Sequence, residues 1–458
     1  MNTSPARPPA AAATAAAVTE RPDRGSTAGP PPREFFVDWL RIIALALLIL
    51  YHVGMAYVAW PWHVKSAAAG AEVAAALQPW MNLSGPWRMT LLFVISGLAT
   101  ALMLERRGAG RSWGTSGDTG GSASGCASAR ASASAGTSAG ASAEAPGWLR
   151  ERARRLLLPL LAGVVLVVPP QSYFEVRQFH GYAGSYLDFL ALYFSAHSGF
   201  CAPQRACLIL PTWNHLWFLP YLFVYTALLA LALRRWPQAL DQAAARLPHW
   251  LSGTRLLWLP LAWFVATRLV LRPLFGETHA LVDDGFLHAQ YAPAFALGVV
   301  LARGGLASAL WPRLEAARHW ALALVLLAWA LLTSTAPGLP WRAVPWSVMQ
   351  WCAIVAALGY ARCHLQRDNA ARRVLSEAVF PVYVLHQTVI VLAVVALAPW
   401  ALGAAAEAAL VVALTFGVSA AGYMVARRSA WLRPWFGLAP KRHAQGAANR
   451  AMDPRVST

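Results

Sequence analysis

Residues 36–59 read FVDWLRIIALALLILYHVGMAYVA, and this stretch decides the class of protein. A helix of this length spans the roughly 30 Å hydrocarbon core of a bilayer. Its side chains are apolar on every face except at Asp38, Arg41 and His52. A helix apolar all round is buried, here by lipid and by other helices. Comparable runs recur to the end of the chain, at 87–104, 154–174, 213–233, 255–275, 286–303, 319–337, 344–362, 376–398 and 403–426. The expectation is an all-α, polytopic membrane protein of about ten transmembrane helices. The shorter apolar stretch 186–199 reads as an interfacial or re-entrant piece. Only 13% of the 458 residues are charged and 57% are hydrophobic, too little charge to cover a soluble chain of this size.

The net charge of +18 raises the possibility of a nucleic-acid partner, and its distribution excludes one. Of the 38 Lys and Arg residues, 30 fall in alternate segments: 1–35, 105–155, 234–255, 303–318, 362–373 and the tail after 426. The other connections hold seven: Lys65, Arg88, Arg177, Arg205, Arg268, Arg272 and Arg342. Basic loops stay on the cytoplasmic side, so both termini are expected in the cytoplasm. The chain is expected to be a multi-pass protein of the bacterial inner membrane, with the lipid bilayer as a partner.

The organisation follows from composition. Residues 1–33, rich in Ala and Pro, read as a disordered tail, 34–430 as the membrane domain and 431–458 as a cytoplasmic tail. Within the membrane domain, 108–147 is mostly Gly, Ala, Ser and Thr, a composition that buries little apolar surface and reads as a flexible cytoplasmic insertion. Five cysteines are too few for a disulfide framework. Cys352 and Cys363 belong to a span and Cys126 to the insertion; Cys201 and Cys207 share one loop, as a disulfide or as two thiols. The histidines lack the close spacing of metal ligands, so no metal is expected. The oligomeric state is not legible.

Ionisable groups in a bilayer are costly and therefore mark function by default. In the first span Asp38 and Arg41 are three apart and can pair on one face. Arg41 and His52 are eleven apart, returning to nearly the same face about 16 Å along the axis. Each has a plainer reading: Arg41 as a snorkelling anchor, His52 as a helix-packing hydrogen bonder. In WLRERARRLLLPLL (148–161), Arg152 and Arg155 lie one turn apart at the cytoplasmic edge, suited to a polyphosphate or to lipid headgroups. In WNHLWFLPYLF (213–223), His215 and Trp217 open a span; Trp217 also fits an interfacial aromatic belt. In FPVYVLHQTVIV (380–391), Tyr383 and His386 lie one turn apart near mid-membrane. In RMTLLFVISGL (88–98), Arg88 is a candidate for an acidic acceptor or acyl carboxylate, and Ser96–Gly97 is a small pair suited to close helix packing.

Taken together, these residues resemble the acyltransferase-3 family of integral membrane acyltransferases. That family carries an Arg, ten intervening residues and a His in its first span, here Arg41 and His52. An Arg-x-x-Arg opens its third span, here Arg152 and Arg155. LLFVISG, HLWFL and YVLHQ follow in the expected order, and the likeness covers about residues 33–430. REFFVDWLR, WHVKS and WRMTLLFVISG carry a closer likeness to members that place succinyl groups on periplasmic glucans.

The resemblance implies an O-acyltransferase that moves an acyl group, succinyl or acetyl, from cytoplasmic acyl-CoA to a hydroxyl of a periplasmic or cell-surface glycan or oligosaccharide. Arg152 and Arg155 would hold the coenzyme, His52 would act as base, and Asp38 would orient Arg41. Arg88, Ser96, His215, Trp217, Tyr383 and His386 are candidates for the substrate cavity. The alternative is a polytopic transporter or exporter of a glycan or other small molecule; against it, the two halves show no inverted repeat.

Overall fold

The computed structural model describes residues 34–112, 147–202, 205–303 and 308–440. The tail 1–33, residues 113–146 of the low-complexity stretch with Cys126, and 441–458 lie outside the described residues. The helices are α1 (Phe35–Met55), α2 (Ala71–Ser84), α3 (Arg88–Ser112), α4 (Gly147–Val167), α5 (Pro169–Phe179), α6 (Tyr186–Phe194) and α7 (Phe218–Arg235). They continue as α8 (Ala239–Trp250), α9 (Arg255–Phe275), α10 (Gly285–Leu301), α11 (Leu310–Thr333), α12 (Ala343–His364), α13 (Ala370–Leu397) and α14 (Ala404–Arg428).

Eight described helical stretches are long and apolar enough to cross a membrane; α4 and α5, joined with a 43° bend, make a ninth, and α10 is a shorter apolar helix. Each of the ten predicted spans falls on one of these. The protein is an all-α, polytopic membrane protein. Two boundaries differ from the expectation. Helix α2, which carries Gln78, Pro79 and Asn82, precedes α3 as part of one 35-residue apolar stretch. Helix α3 runs on to Ser112, five residues into the stretch read as a flexible insertion.

Residues 186–199 do not span. Helix α6 has nine residues, started by Ser185 and Asp188, whose side chains each bond the other's backbone N–H. A short antiparallel hairpin follows, β1 (Phe200–Ala202) with β2 (Arg205–Leu208), joined by a disulfide between Cys201 and Cys207.

The bend between α4 and α5 has a local cause. Pro169 and Pro170 supply no N–H donors, and the preceding turn, Gly163–Val167, is a π-helix. Carbonyls freed in a bilayer need other donors. Tyr193 Oη donates to Val164 O at 2.9 Å and Thr388 Oγ1 to Val167 O at 2.6 Å. The far end of α1 is closed similarly: Lys65 Nζ donates to the carbonyls of Met55, Val58 and Trp60, each at 2.6 Å.

Helix α1 packs against α3, α12, α13 and α14. Helices α3 and α10 approach so closely at Gly97 and Gly298 that each glycine faces the other helix's backbone. Helices α9, α11 and α14 turn Leu269, Val270, Leu326, Leu327, Val418 and Val425 outward, as lipid-facing helices do.

Candidate active site

A cavity of about 360 Å³ lies among α1, α3, α4, α7 and α13. Arg41, Leu45 and Leu48 form its α1 wall, Ser96 and Ala99 its α3 wall, and Phe380 and Tyr383 part of its α13 wall; Arg152 and Arg155 enter from α4. Residues 437–439, beyond α14, complete the rim. The helical repeats explain this convergence. Residues 41, 45 and 48 share a face of α1, and 152 and 155 share a face of α4.

The lining holds three guanidinium groups and one carboxylate, Glu377. That carboxylate is already engaged: Tyr423 Oη donates to it at 3.0 Å, and Arg427 and Arg433 pair with it at 3.3 and 3.4 Å. The cavity therefore keeps an excess of positive charge in a poorly solvated place, an arrangement that favours an anion. Arg152 is held by Thr100, whose Oγ1 accepts from Nη2 at 2.8 Å, and its buried Nε has no hydrogen-bond partner among the described residues.

Asp38 was expected to pair with Arg41. Asp38 acts on Arg41 electrostatically, and it also forms an ion pair with Arg372 at the first turn of α13, a fully buried guanidinium that binds Asp368 at 2.7 Å as well. Asp38 thus ties α1 to α13. Asp368, in the connection before α13, is held down to about 2, first by hydrogen bonds from Arg373 and Arg372. Arg41 stays within electrostatic reach of Asp38, so the spacing along α1 gave one of the carboxylate's neighbours and missed the other, which comes from α13.

Beyond Tyr383 the cavity wall passes into a histidine cluster. Tyr383 Oη donates to His215 O at 2.6 Å. One turn along α13, His386 is fully buried, its Nδ1 2.7 Å from Tyr383 O and its Nε2 2.9 Å from His52 Nδ1. His215 stands edge-on to His386 at 5.1 Å between ring centroids, with Nε2 3.0 Å from Val384 O. His52 is only partly buried and lies one turn past Leu48; its Nε2 carries no hydrogen bond among the described residues.

Gln171, just after the Pro169–Pro170 bend, knits the surroundings. It donates to Thr388 Oγ1 at 2.6 Å and accepts from Asn214 and Gln387 at 3.0 Å each. Sequence reading missed Gln171, Thr388, Arg372 and Thr100. Gln171 had a signal, a lone amide beside a double proline inside an apolar run. The charge of Arg372 was absorbed into the orientation pattern.

Arg41, Arg152, Arg155, Ser96 and Tyr383 thus meet in one cavity, and His52, His215 and His386 meet next to it. Two candidates do not line the cavity, although Arg88 still acts electrostatically on His52. Arg88 lies over the Tyr51 ring, 3.7 Å from its centroid, with Nη1 on Ser84 Oγ at 3.2 Å. Trp217 packs among Phe93, Tyr221, His279 and Tyr291 and does not line the cavity. The small pair divides its labour: Ser96 faces the cavity and Gly97 faces α10. Among the described residues no three His, Cys, Asp or Glu side chains are placed to hold a metal ion together.

A family model described as an acyltransferase domain, acyltransferase 3, matches residues 34–424. The chain belongs to the acyltransferase-3 family. Similar curated relatives include glucans biosynthesis protein C of Salmonella schwarzengrund, Salmonella paratyphi B and Salmonella heidelberg. Each is 24% identical over 281 residues, covering 59% of this chain and 59% of the relative. The chain thus spans about three fifths of the length of these relatives. No solved structure matches the chain.

Proposed function

We propose that this acyltransferase takes its acyl group from acyl-CoA at the Arg41 end of the cavity and passes it to a glycan hydroxyl near His52. Arg152 and Arg155, with Arg41 deeper in, would hold the coenzyme's phosphates by charge-assisted hydrogen bonds. The pantetheine arm would run along Leu45 and Leu48 toward Tyr383. The observation that carries this reading is the meeting of three guanidinium groups in a cavity whose α13 wall ends at Tyr383, one turn from the His386–His52 pair.

In the reaction the acceptor hydroxyl gives its proton to His52 Nε2 as its oxygen bonds to the thioester carbonyl carbon. The C–S bond then breaks, and the proton passes from His52 to the departing thiolate. No covalent acyl-enzyme is invoked. A glucan acceptor rests on the likeness to proteins named for glucan biosynthesis; succinyl or acetyl as the acyl group and a periplasmic or cell-surface site for the acceptor follow from the motif resemblance alone. The charge bias of the loops supports an inner-membrane protein with the Arg41 end toward the cytoplasm.

The test is to incubate purified protein with succinyl- or acetyl-CoA, labelled in the acyl group, and a glucan mixture. Thiol release matched by label in the glucan is the expected result. Thiol release without glucan labelling overturns the acceptor assignment.

A further inference from the structure

The hydrogen bonds around His386 determine where the protons of two imidazoles sit. His386 Nδ1 is 2.7 Å from the carbonyl oxygen of Tyr383, one turn earlier on the same helix. A carbonyl only accepts, so Nδ1 carries the proton. His386 is fully buried, and among the described residues no carboxylate contacts it, so it is neutral and its Nε2 is a bare lone pair. His52 Nδ1 lies 2.9 Å from that lone pair and must donate to it. A neutral His52 then has one place left for its own lone pair, Nε2.

We propose that His386 is a positioning residue that holds His52 in the Nδ1–H tautomer, so that Nε2 is presented as the base. This deepens the proposed function and rests on His52 being that base. The device works because the anchor is intrahelical: the bond to Tyr383 O is set by the turn of α13 and does not depend on how two helices pack. His215, edge-on to His386 and bonded through Nε2 to Val384 O, braces the ring from a second side, and Trp62 lies along His52 at 6.5 Å between centroids. When Nε2 takes the acceptor's proton, His52 becomes an imidazolium whose Nδ1–H still points at a neutral acceptor, and that bond strengthens. His386 gains no proton in the cycle: the proton lost from the acceptor oxygen is on His52 and goes on to the thiolate. The role is that of the buried partner in a catalytic triad, filled by an uncharged group suited to the membrane interior.

The test compares His386→Gln, His386→Asn and His386→Phe for transfer rate and for acyl-CoA binding. Glutamine reaches the place of Nε2 with an acceptor oxygen; asparagine can replace only the Nδ1–H, and phenylalanine neither. Expected results are losses of roughly 10²-fold for the Asn and Phe variants, the scale of a misaligned general base. The Gln variant should stay within about tenfold of the parent, and acyl-CoA should bind all three alike. In the intact protein labelled with ¹⁵N-histidine, the signals that vanish in His52→Ala should report a protonated Nδ1 and a bare Nε2. Parent-like transfer by the Phe variant overturns the proposal, as does a protonated Nε2 on neutral His52. Transfer by His52→Ala itself would instead defeat the reading of His52 as base, a separate result.

Discussion

Asp38 and Arg372 are joined across α1 and α13 in the same register as His52 and His386: both pairs are 334 residues apart, so each helix advances fourteen residues from the ion pair to the imidazole pair. The two helices therefore run parallel, bonded at two points about 21 Å apart. Leu45, Leu48 and Tyr383, which line the cavity, lie between these points. Breaking a buried ion pair by removing one partner leaves the other uncompensated. Arg372→Met should therefore cost on the order of 3 kcal/mol, read as a lower midpoint of thermal unfolding in detergent. Adding Asp38→Leu to it should recover part of the loss. A double variant less stable than the single one would show that the ion pair is not what the α1–α13 contact depends on.

This register also marks what could be read in advance. The spans were legible because a bilayer demands some twenty apolar residues in a row, and no soluble element needs that. Arg41–His52 and Arg152–Arg155 were legible because both members of each pair lie on one helix, where spacing alone gives the face. The pairing of Asp38 with Arg372 was not, because a one-dimensional reading supplies only neighbours along the same helix, such as Arg41. Gln171 escaped for a different reason. Its importance comes from the Pro169–Pro170 bend, which turns one predicted span into two helices and faces an isolated amide toward Asn214, Gln387 and Thr388.

The α3–α10 crossing gives a second prediction. A Cβ on Gly97 would stand 2.0 Å from Phe295 O, and one on Gly298 would stand 1.9 Å from Val94 O. Backbone cannot yield as a side chain can. Gly97→Val or Gly298→Val should force the helices apart and cost about 1–3 kcal/mol or more, seen as loss of monodisperse protein in size-exclusion chromatography. Gly417 on α14, with nothing within 4 Å of its Cβ position, is the control. Gly417→Ala should be neutral or stabilise by up to about 1 kcal/mol through helix propensity. Wild-type behaviour of both valine variants would refute the tight crossing.

A third prediction concerns the donor. If Arg152 and Arg155 bind the nucleotide end of the coenzyme, Arg152→Ala with Arg155→Ala should weaken acyl-CoA binding by at least roughly tenfold, since bonds to charged groups contribute about 1.5–3 kcal/mol each. Binding of the corresponding acyl-pantetheine, which lacks the nucleotide, should not change. Thr100→Val, which removes the partner of Arg152 Nη2, should have the same sign and a smaller size. Equilibrium binding measurements with both ligands check this. Equal affinity of parent and double variant for acyl-CoA would return the two arginines to the role of membrane-orientation signals.

The last prediction concerns the base. His52→Ala should reduce acyl transfer by roughly 10²- to 10⁴-fold, the usual contribution of a positioned general base. Expression, membrane insertion and acyl-CoA affinity should be unchanged, because the coenzyme's proposed phosphate contacts are at the other end of the cavity. That separation gives the experiment its force. The 2.9 Å bond to the buried His386 ring is lost in either case and costs some stability, but a packing role alone would lower the rate only as far as it lowers the folded, donor-binding fraction. A catalytic role lowers the rate in a protein that still folds and still binds its donor. Thermal unfolding, donor binding and transfer measured on one preparation therefore decide between the two. A stable, donor-binding His52→Ala protein that transfers acyl groups at the parent rate would remove His52 from the chemistry.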